Sequence, residues 1–251
     1  MTADMPRNAR PRIAIPMPHS LDREYAERAI PQYERAVEQA GGEAVRILLD
    51  QNPSDVARII GGCDGVLLPG SKADVDPVKF GARRSPQTAT ADPGRDTVDE
   101  LLLRDAYSHR KPILGICYGL QSLNVYCAGS LIQHIPDFLP EELRLRVNHE
   151  AGKKVAVAHA VEVEKNSRLA QVLGEENLTI PVNSSHHQSA DAIGEGLRIS
   201  AHCREDGIIE ALEGTDPDHF VLAVQWHPER SVDLDEPSRA IFRALIEAAA
   251  K

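Results

Sequence analysis

Cysteine is scarce: four residues in 251, at Cys63, Cys117, Cys127 and Cys203. None falls in a C-x-x-C pair. A disulfide framework and a cysteine metal site are therefore not expected, and the thiols read as reduced and intracellular. Basic charge is also short. The chain has 28 Lys and Arg against 38 Asp and Glu, a formal charge of −10. Nucleic-acid phosphates call for clustered cations, so this balance argues against a nucleic-acid partner. Long apolar runs are missing as well. Arg7, Arg10 and Arg12 lead into no apolar segment, so no secretory signal is read. The stretch Pro112–Pro136 lacks Asp, Glu, Lys and Arg. Its Gly115, Gly119, Gly129, Gln121, Asn124 and Gln133 punctuate it as strand, turn and helix, not as a membrane span.

What remains is an ordinary globular composition, 42% hydrophobic and 26% charged, with length for a sizeable core. Residues 1–11 read as a disordered tail and 12–251 as one domain. Neither an internal repeat nor a low-complexity linker is seen. The first half alternates strand and helix patterns. Strands are expected at Arg12–Pro16, Ala44–Leu49, Gly65–Leu68 and Pro112–Ile116, and helices at Pro31–Ala40, from Pro53 to Gly61, after Thr97 and at Tyr118–Tyr126. Thr97 and Glu100 form a capping-box pattern. Residues 71–93 read as loop. The second half is richer in strand: Val155–Val163, Thr179–Val182, Leu197–Ala201, Ile208–Leu212 and Phe220–Gln225, with a closing helix after Pro237. This order predicts an α/β fold, a doubly wound and mostly parallel sheet with an antiparallel extension.

The strongest local signal is Gly115-Ile116-Cys117-Tyr118-Gly119, set between an apolar strand and a helical pattern. That is the layout of a nucleophile elbow with cysteine as nucleophile. The thiol would project at the carboxyl end of the sheet and at a helix N-terminus, which favours thiolate. The Tyr118 N–H can face a developing oxyanion. A nucleophile needs a base, and Gln225-Trp226-His227-Pro228-Glu229 supplies one at the end of another apolar strand. Residues two apart in extended chain share a side, so Glu229 can return beside His227 and orient it. Cys63, Cys127 and Cys203 have no such setting and read as packing residues.

These motifs carry a resemblance. Together with Leu67-Leu68-Pro69-Gly70, Asp92-Pro93-Gly94-Arg95-Asp96, Val182-Asn183-Ser184-Ser185-His186-His187-Gln188 and Asp206-Gly207-Ile208-Ile209-Glu210-Ala211, they make the chain resemble the class I glutamine amidotransferase superfamily, peptidase C26 branch. The order fits from about Arg12 to the C-terminus. The resemblance implies a flavodoxin-like sheet and a Cys117-His227-Glu229 triad that cleaves the gamma-glutamyl amide of a small amine or amino acid through a thioester. It implies oxyanion donors at Gly70, Ser71 and Tyr118, and glutamyl contacts at Gln121, Ser185 and His186. It implies no cofactor, a small-molecule gamma-glutamyl substrate, a cytoplasmic setting, no nucleic-acid or membrane partner, and leaves a homodimer open. Many members have Arg where Tyr118 stands, so a shift in amine preference is expected. A glutaminase component serving a synthetase, and a non-catalytic binding module on the same fold, are the alternatives.

Other residues read more plainly. His149, His159, His186, His187 and His202 lack metal-motif spacing, so no metal site is expected. Asp74 and Asp76 read as a solvated acidic loop near the pocket. Glu210 reads as structural or as a support behind the site.

Overall fold

The computed structural model describes residues 10–176 and 178–251. Most of the expected tail lies outside them, but Pro11 is tied down, its carbonyl accepting from the Glu43 N–H at 2.8 Å. The first half runs β1 (Arg12–Pro16), α1 (Arg23–Gln39), β2 (Glu43–Ile47), α2 (Pro53–Gly61), β3 (Gly65–Leu68), α3 (Pro93–His109), β4 (Ile113–Ile116) and α4 (Tyr118–Tyr126). Then come β5 (Leu131–Ile132), the one-turn helices α5 (Ile135–Phe138) and α6 (Glu141–Arg144), β6 (His159–Val163), α7 (Arg168–Leu173) and β7 (Thr179–Val182). The chain closes with β8 (Ser189–Ala190), β9 (Leu197–Cys203), β10 (Ile209–Gly214), β11 (Val221–Val224) and α8 (Glu236–Ala249).

Nine strands form one sheet in the order β2-β1-β3-β4-β11-β10-β9-β6-β7. The first five are mutually parallel, and β10, β9, β6 and β7 continue as an antiparallel wing. The expected fold class is therefore the observed one.

Side-chain alternation along the parallel strands feeds two cores. Ile13, Ile15, Leu67, Leu114 and Ile116 face α1, α7 and α8. Ala14, Val66, Leu68 and Ile113 face α2, α3 and α4. Both faces are covered, so the edge at the strands' carboxyl ends is left for a site. Among the described residues no helix is long and apolar enough to cross a membrane.

Several boundaries differ from expectation for physical reasons. α1 begins at Arg23, capped by Asp22 accepting from the Tyr25 N–H, and carries Pro31 inside it. Proline there costs one backbone hydrogen bond, but burial of Ala26, Ile30, Tyr33 and Val37 sustains the helix across it. α3 begins at Pro93 with Asp92 as its cap, not at Thr97, whose hydroxyl instead donates to the Pro93 carbonyl. In the second half, β6 starts only at His159; the Lys154 and Val155 N–H groups close the preceding helical turn on the Ala151 carbonyl instead of joining the sheet.

Candidate functional site

Strand β4 delivers Cys117 and its neighbour β11 delivers His227. The two strands are parallel, with Leu114 beside Leu222 and Ile116 beside Val224. Their carboxyl ends therefore emerge together, and the Cys117 N–H extends the ladder by donating to the Val224 carbonyl at 2.8 Å. Cys117 then turns sharply, with φ 52° and ψ −105°. A positive φ in a residue with a Cβ is strained and is held here by its surroundings. The next turn allows no side chain at Gly119: an added Cβ would sit 2.1 Å from the Leu68 carbonyl oxygen.

His227 is buried, and its Nδ1 lies 2.8 Å from Glu229 Oε1. Cys117 opens into the same cavity as this ring and interacts with it electrostatically. Burial pulls the imidazole pKa down, but the Glu229 carboxylate and Cys117 outweigh it and hold the value up at about 9. Glu229 shows the reverse balance: burial pushes its carboxyl up, and His227 brings it below the usual range. By contrast, burial raises the thiol pKa of Cys63, Cys127 and Cys203, which suits packing residues.

The backbone of His227 is clamped by a residue that sequence reasoning named only within a motif. The Asn183 side chain accepts from the His227 N–H and donates to its carbonyl, each at 2.9 Å, and it also donates to Ser231 Oγ.

Cys117 and His227 open into a cavity of about 780 Å³, also lined by Ser71, Gln121, Ser185 and His186. Arg28, Lys72, Lys153 and Arg230 stand around it with Asp74 and Glu150. A second concavity of about 630 Å³ lies at the opposite end of the parallel strands, by Pro112 and Phe220, and its lining holds no Cys or His. Of the two, the first holds Cys117 and His227.

Three expected roles change. The Gly70 N–H donates to the Tyr33 hydroxyl at 3.1 Å, so it is already engaged and is not free for an oxyanion. Gly70 matters by proximity instead, because a Cβ there would meet the His227 ring and the Tyr33 hydroxyl at 3.0 Å. The Tyr118 N–H precedes the first bond of α4, Leu120 N–H to the Cys117 carbonyl, and is a donor at a helix start. The Tyr118 side chain, however, is buried under Arg95 and donates to Asp96 at 2.7 Å. It does not line the cavity, which removes the physical basis for an effect on amine preference. Finally, both His186 ring nitrogens face inward, Nδ1 lying 2.8 Å from the Gln188 carbonyl oxygen and Nε2 3.4 Å from Glu210. Its imidazole is therefore not presented to a ligand in the cavity.

Gln121 sits in the cavity wall, its amide donating to the Gln188 carbonyl and to Gln225 Oε1 at 3.3 Å each. Asp74 is buried rather than solvated. It accepts from the Ala89 N–H and lies 3.1 Å from His187 Nε2. Asp76 caps the turn at 77–80.

The peptidase C26 family model matches residues 14–229. The chain belongs to the peptidase C26 family. Among its relatives, a candidate glutamine amidotransferase of Mycobacterium tuberculosis is 40% identical over 220 residues, covering 86% of this chain and 66% of that longer one. The gamma-glutamyl-gamma-aminobutyrate hydrolase PuuD of Escherichia coli is 34% identical over 220 residues, 86% of this chain and 84% of that one. A solved structure, the glutaminase domain of Trypanosoma brucei CTPS with bound acivicin, superposes with a TM-score of 0.62 over 96% of this chain and 94% of that one, at 17% identity. That likeness concerns the fold. As a C26 member the chain is a glutamine amidotransferase-like hydrolase.

Proposed function

We propose that the protein hydrolyses the gamma-glutamyl amide bond of a small gamma-glutamyl-amine or gamma-glutamyl-amino acid. The observation that carries this reading is Cys117 at positive φ, lining one cavity with a His227 that Glu229 holds in place. Cys117 sulfur attacks the side-chain carbonyl carbon while His227 carries the thiol proton. The carbonyl oxygen takes negative charge between the Ser71 and Tyr118 N–H groups. His227 then gives its proton to the leaving nitrogen, the amine departs, and a glutamyl thioester remains. Water, deprotonated by His227, cleaves the thioester to glutamate and regenerates the thiol. Glu229 keeps the imidazole oriented and balances its charge throughout.

The cavity's mixed charge supports a zwitterionic head group. Arg28, Lys72 and Arg230 suit an α-carboxylate, and Asp74 and Glu150 suit an α-ammonium. The Escherichia coli relative's name points to the same substrate class. The test is glutamate release from a panel of gamma-glutamyl amines, amino acids and glutamine. Wild type is expected to turn over the small conjugates, and Cys117→Ala to lose at least about 10³-fold. Equal turnover by Cys117→Ala overturns the mechanism. Glutamine hydrolysis that rises only with an added synthetase favours the glutaminase reading instead. No hydrolysis with any substrate, and no labelling of Cys117 by an electrophile, favours the binding module.

A further inference from the structure

Three buried histidines and one buried glutamate converge behind the cavity wall, and the chemistry above uses none of them. His149 lies before β6, His159 opens β6, His186 follows β7, and Glu210 lies on β10. Where β10 pairs with β9, Ile209 faces His202 and Ala211 faces Ala201, so Glu210 is the extra residue of a bulge. Bulges re-aim side chains. Glu210 Oε1 lies 3.0 Å from His149 Nδ1, 3.3 Å from His159 Nε2 and 3.4 Å from His186 Nε2. The four side chains are at most 4% exposed. One ligand atom from each falls within 4.8 Å of all the others. These approaches lack hydrogen-bond geometry, which leaves the three inner nitrogens and both Glu210 oxygens without a partner. Buried polar atoms in that condition are costly.

The outer nitrogens are all spoken for. His149 Nε2 lies 2.9 Å from Asp206 Oδ2, His159 Nδ1 3.2 Å from the Ala160 carbonyl oxygen, and His186 Nδ1 2.8 Å from the Gln188 carbonyl oxygen. Carbonyls and carboxylates accept, so each outer nitrogen carries the hydrogen. A neutral imidazole then turns a lone pair inward. Three lone pairs and a carboxylate aimed at one point repel one another unless a cation sits among them. Carboxylate or carbonyl partners behind metal-bound histidines are the usual supporting arrangement. The spacing also fits. Tetrahedral ligands at about 2.0–2.1 Å from a zinc ion are about 3.3–3.4 Å apart, against 3.0–3.4 Å from Glu210 Oε1 to the three imidazoles.

We propose that His149, His159, His186 and Glu210 bind one divalent cation of the zinc class. Three imidazoles to one carboxylate suit zinc or cobalt better than magnesium or calcium, which take oxygen ligands. Four protein ligands close the coordination sphere, as in structural sites. Glu210 and the buried Asp206 balance its two charges. The ion pins the segment before β6, the start of β6, the β10 bulge and the turn after β7. That turn carries Ser185 and Gln188 into the cavity wall. His187 and His202 take no part: His187 turns to Asp74, and His202 pairs with Glu162 and Glu164.

The rival occupant is protons on the same histidines, and cobalt titration separates the two. The full chain is stripped with chelator, then titrated with Co²⁺ while absorbance and heat are followed. The expected result is one Co²⁺ per chain with intense tetrahedral bands, displaced by Zn²⁺, and a thermal midpoint that rises with Zn²⁺. Asp206→Asn is expected to weaken binding about 10–100-fold, and Glu210→Gln to abolish the bands. Cys203→Ser, altering the thiol beside Asp206, binds as wild type. Circular dichroism and labelling of Cys117 show which variants are folded. If Glu210→Gln does not fold, wild type and Asp206→Asn decide. A stripped, folded wild type that binds no Co²⁺, an undiminished signal in folded Glu210→Gln, or loss of the signal in Cys203→Ser overturns the site.

Discussion

At the residue scale the decisive electrostatics lie between Glu229 and His227. Burial alone would leave the imidazole poorly protonated, and the carboxylate reverses that, holding the pKa at about 9. In the proposed mechanism the protonated ring is the acid that releases the amine. Above its pKa that acid is lost, so the alkaline limb of kcat/KM should fall near pH 9. Glu229→Gln removes the main group holding the proton on. The limb should shift toward acid, with kcat lowered about 10²–10⁴-fold. A pH–rate profile of the two proteins checks both. An unmoved limb would mean that His227 is not the acid. Cys117, His227 and Glu229 were legible because each sits at the end of an apolar strand or one turn beyond it. The occupation of the Gly70 N–H was not. Its partner, Tyr33, is 37 residues away on α1 and meets it only once the helix packs on the sheet. The inward turn of His186 was illegible for the same reason: Glu210 reaches it from another strand through a bulge.

At the element scale two devices hold the site's edge in shape. One is the β4–α4 elbow. Gly119→Ala would drive a methyl to 2.1 Å from the Leu68 backbone. Backbone cannot swing aside as a side chain can, so a loss of about 3 kcal/mol is expected in urea unfolding. The other is Arg95 on α3. Its fully buried guanidinium donates to the Pro18 carbonyl at 3.2 Å, the Pro69 carbonyl at 2.7 Å and Asp99 at 2.6 Å. It thereby ties the turn after β1 and the turn after β3 to one helix. Asp92 adds to this by accepting from Ser20 while capping α3. Arg95→Met leaves Asp99 buried and unpaired and should cost about 3–5 kcal/mol, read as a lowered unfolding midpoint. The sequence showed Asp92–Asp96 as a motif without its work, and it misplaced the start of α3 at Thr97. Asp92, five residues earlier, caps the helix instead and is held by Ser20, 72 positions away, a contact no local pattern reveals.

At the scale of the whole molecule, topology explains why the site exists. Parallel β4 and β11 are neighbours although 105 residues separate Val221 from Ile116. Each ends at the same sheet edge, so Cys117 and His227 come together without any special loop. Alternation and strand–helix order made the parallel half readable in advance. The order of strands within the wing was not readable, since pairing β9 with both β6 and β10 is a choice made by long-range packing. The site also couples folding to pH. The His227 pKa in the folded protein, about 9, exceeds its ordinary 6.5, so its stabilisation is complete below about 6.5 and is lost as pH rises through 9. Glu229 is held below its ordinary 4.5, so its share is present above that value and is lost as pH falls through the lower folded value. The stability difference between wild type and Glu229→Gln should therefore be largest at intermediate pH and shrink toward both ends in urea unfolding.

In the proposed mechanism Cys117 carries the glutamyl group. That step is tested most directly by quenching wild type with acid during turnover of a gamma-glutamyl amide and weighing the peptide that contains Cys117. One glutamyl addition on Cys117 is expected, absent from Cys117→Ala and removed by hydroxylamine. Steady glutamate release with no adduct on Cys117, and undiminished release by Cys117→Ala, would contradict it.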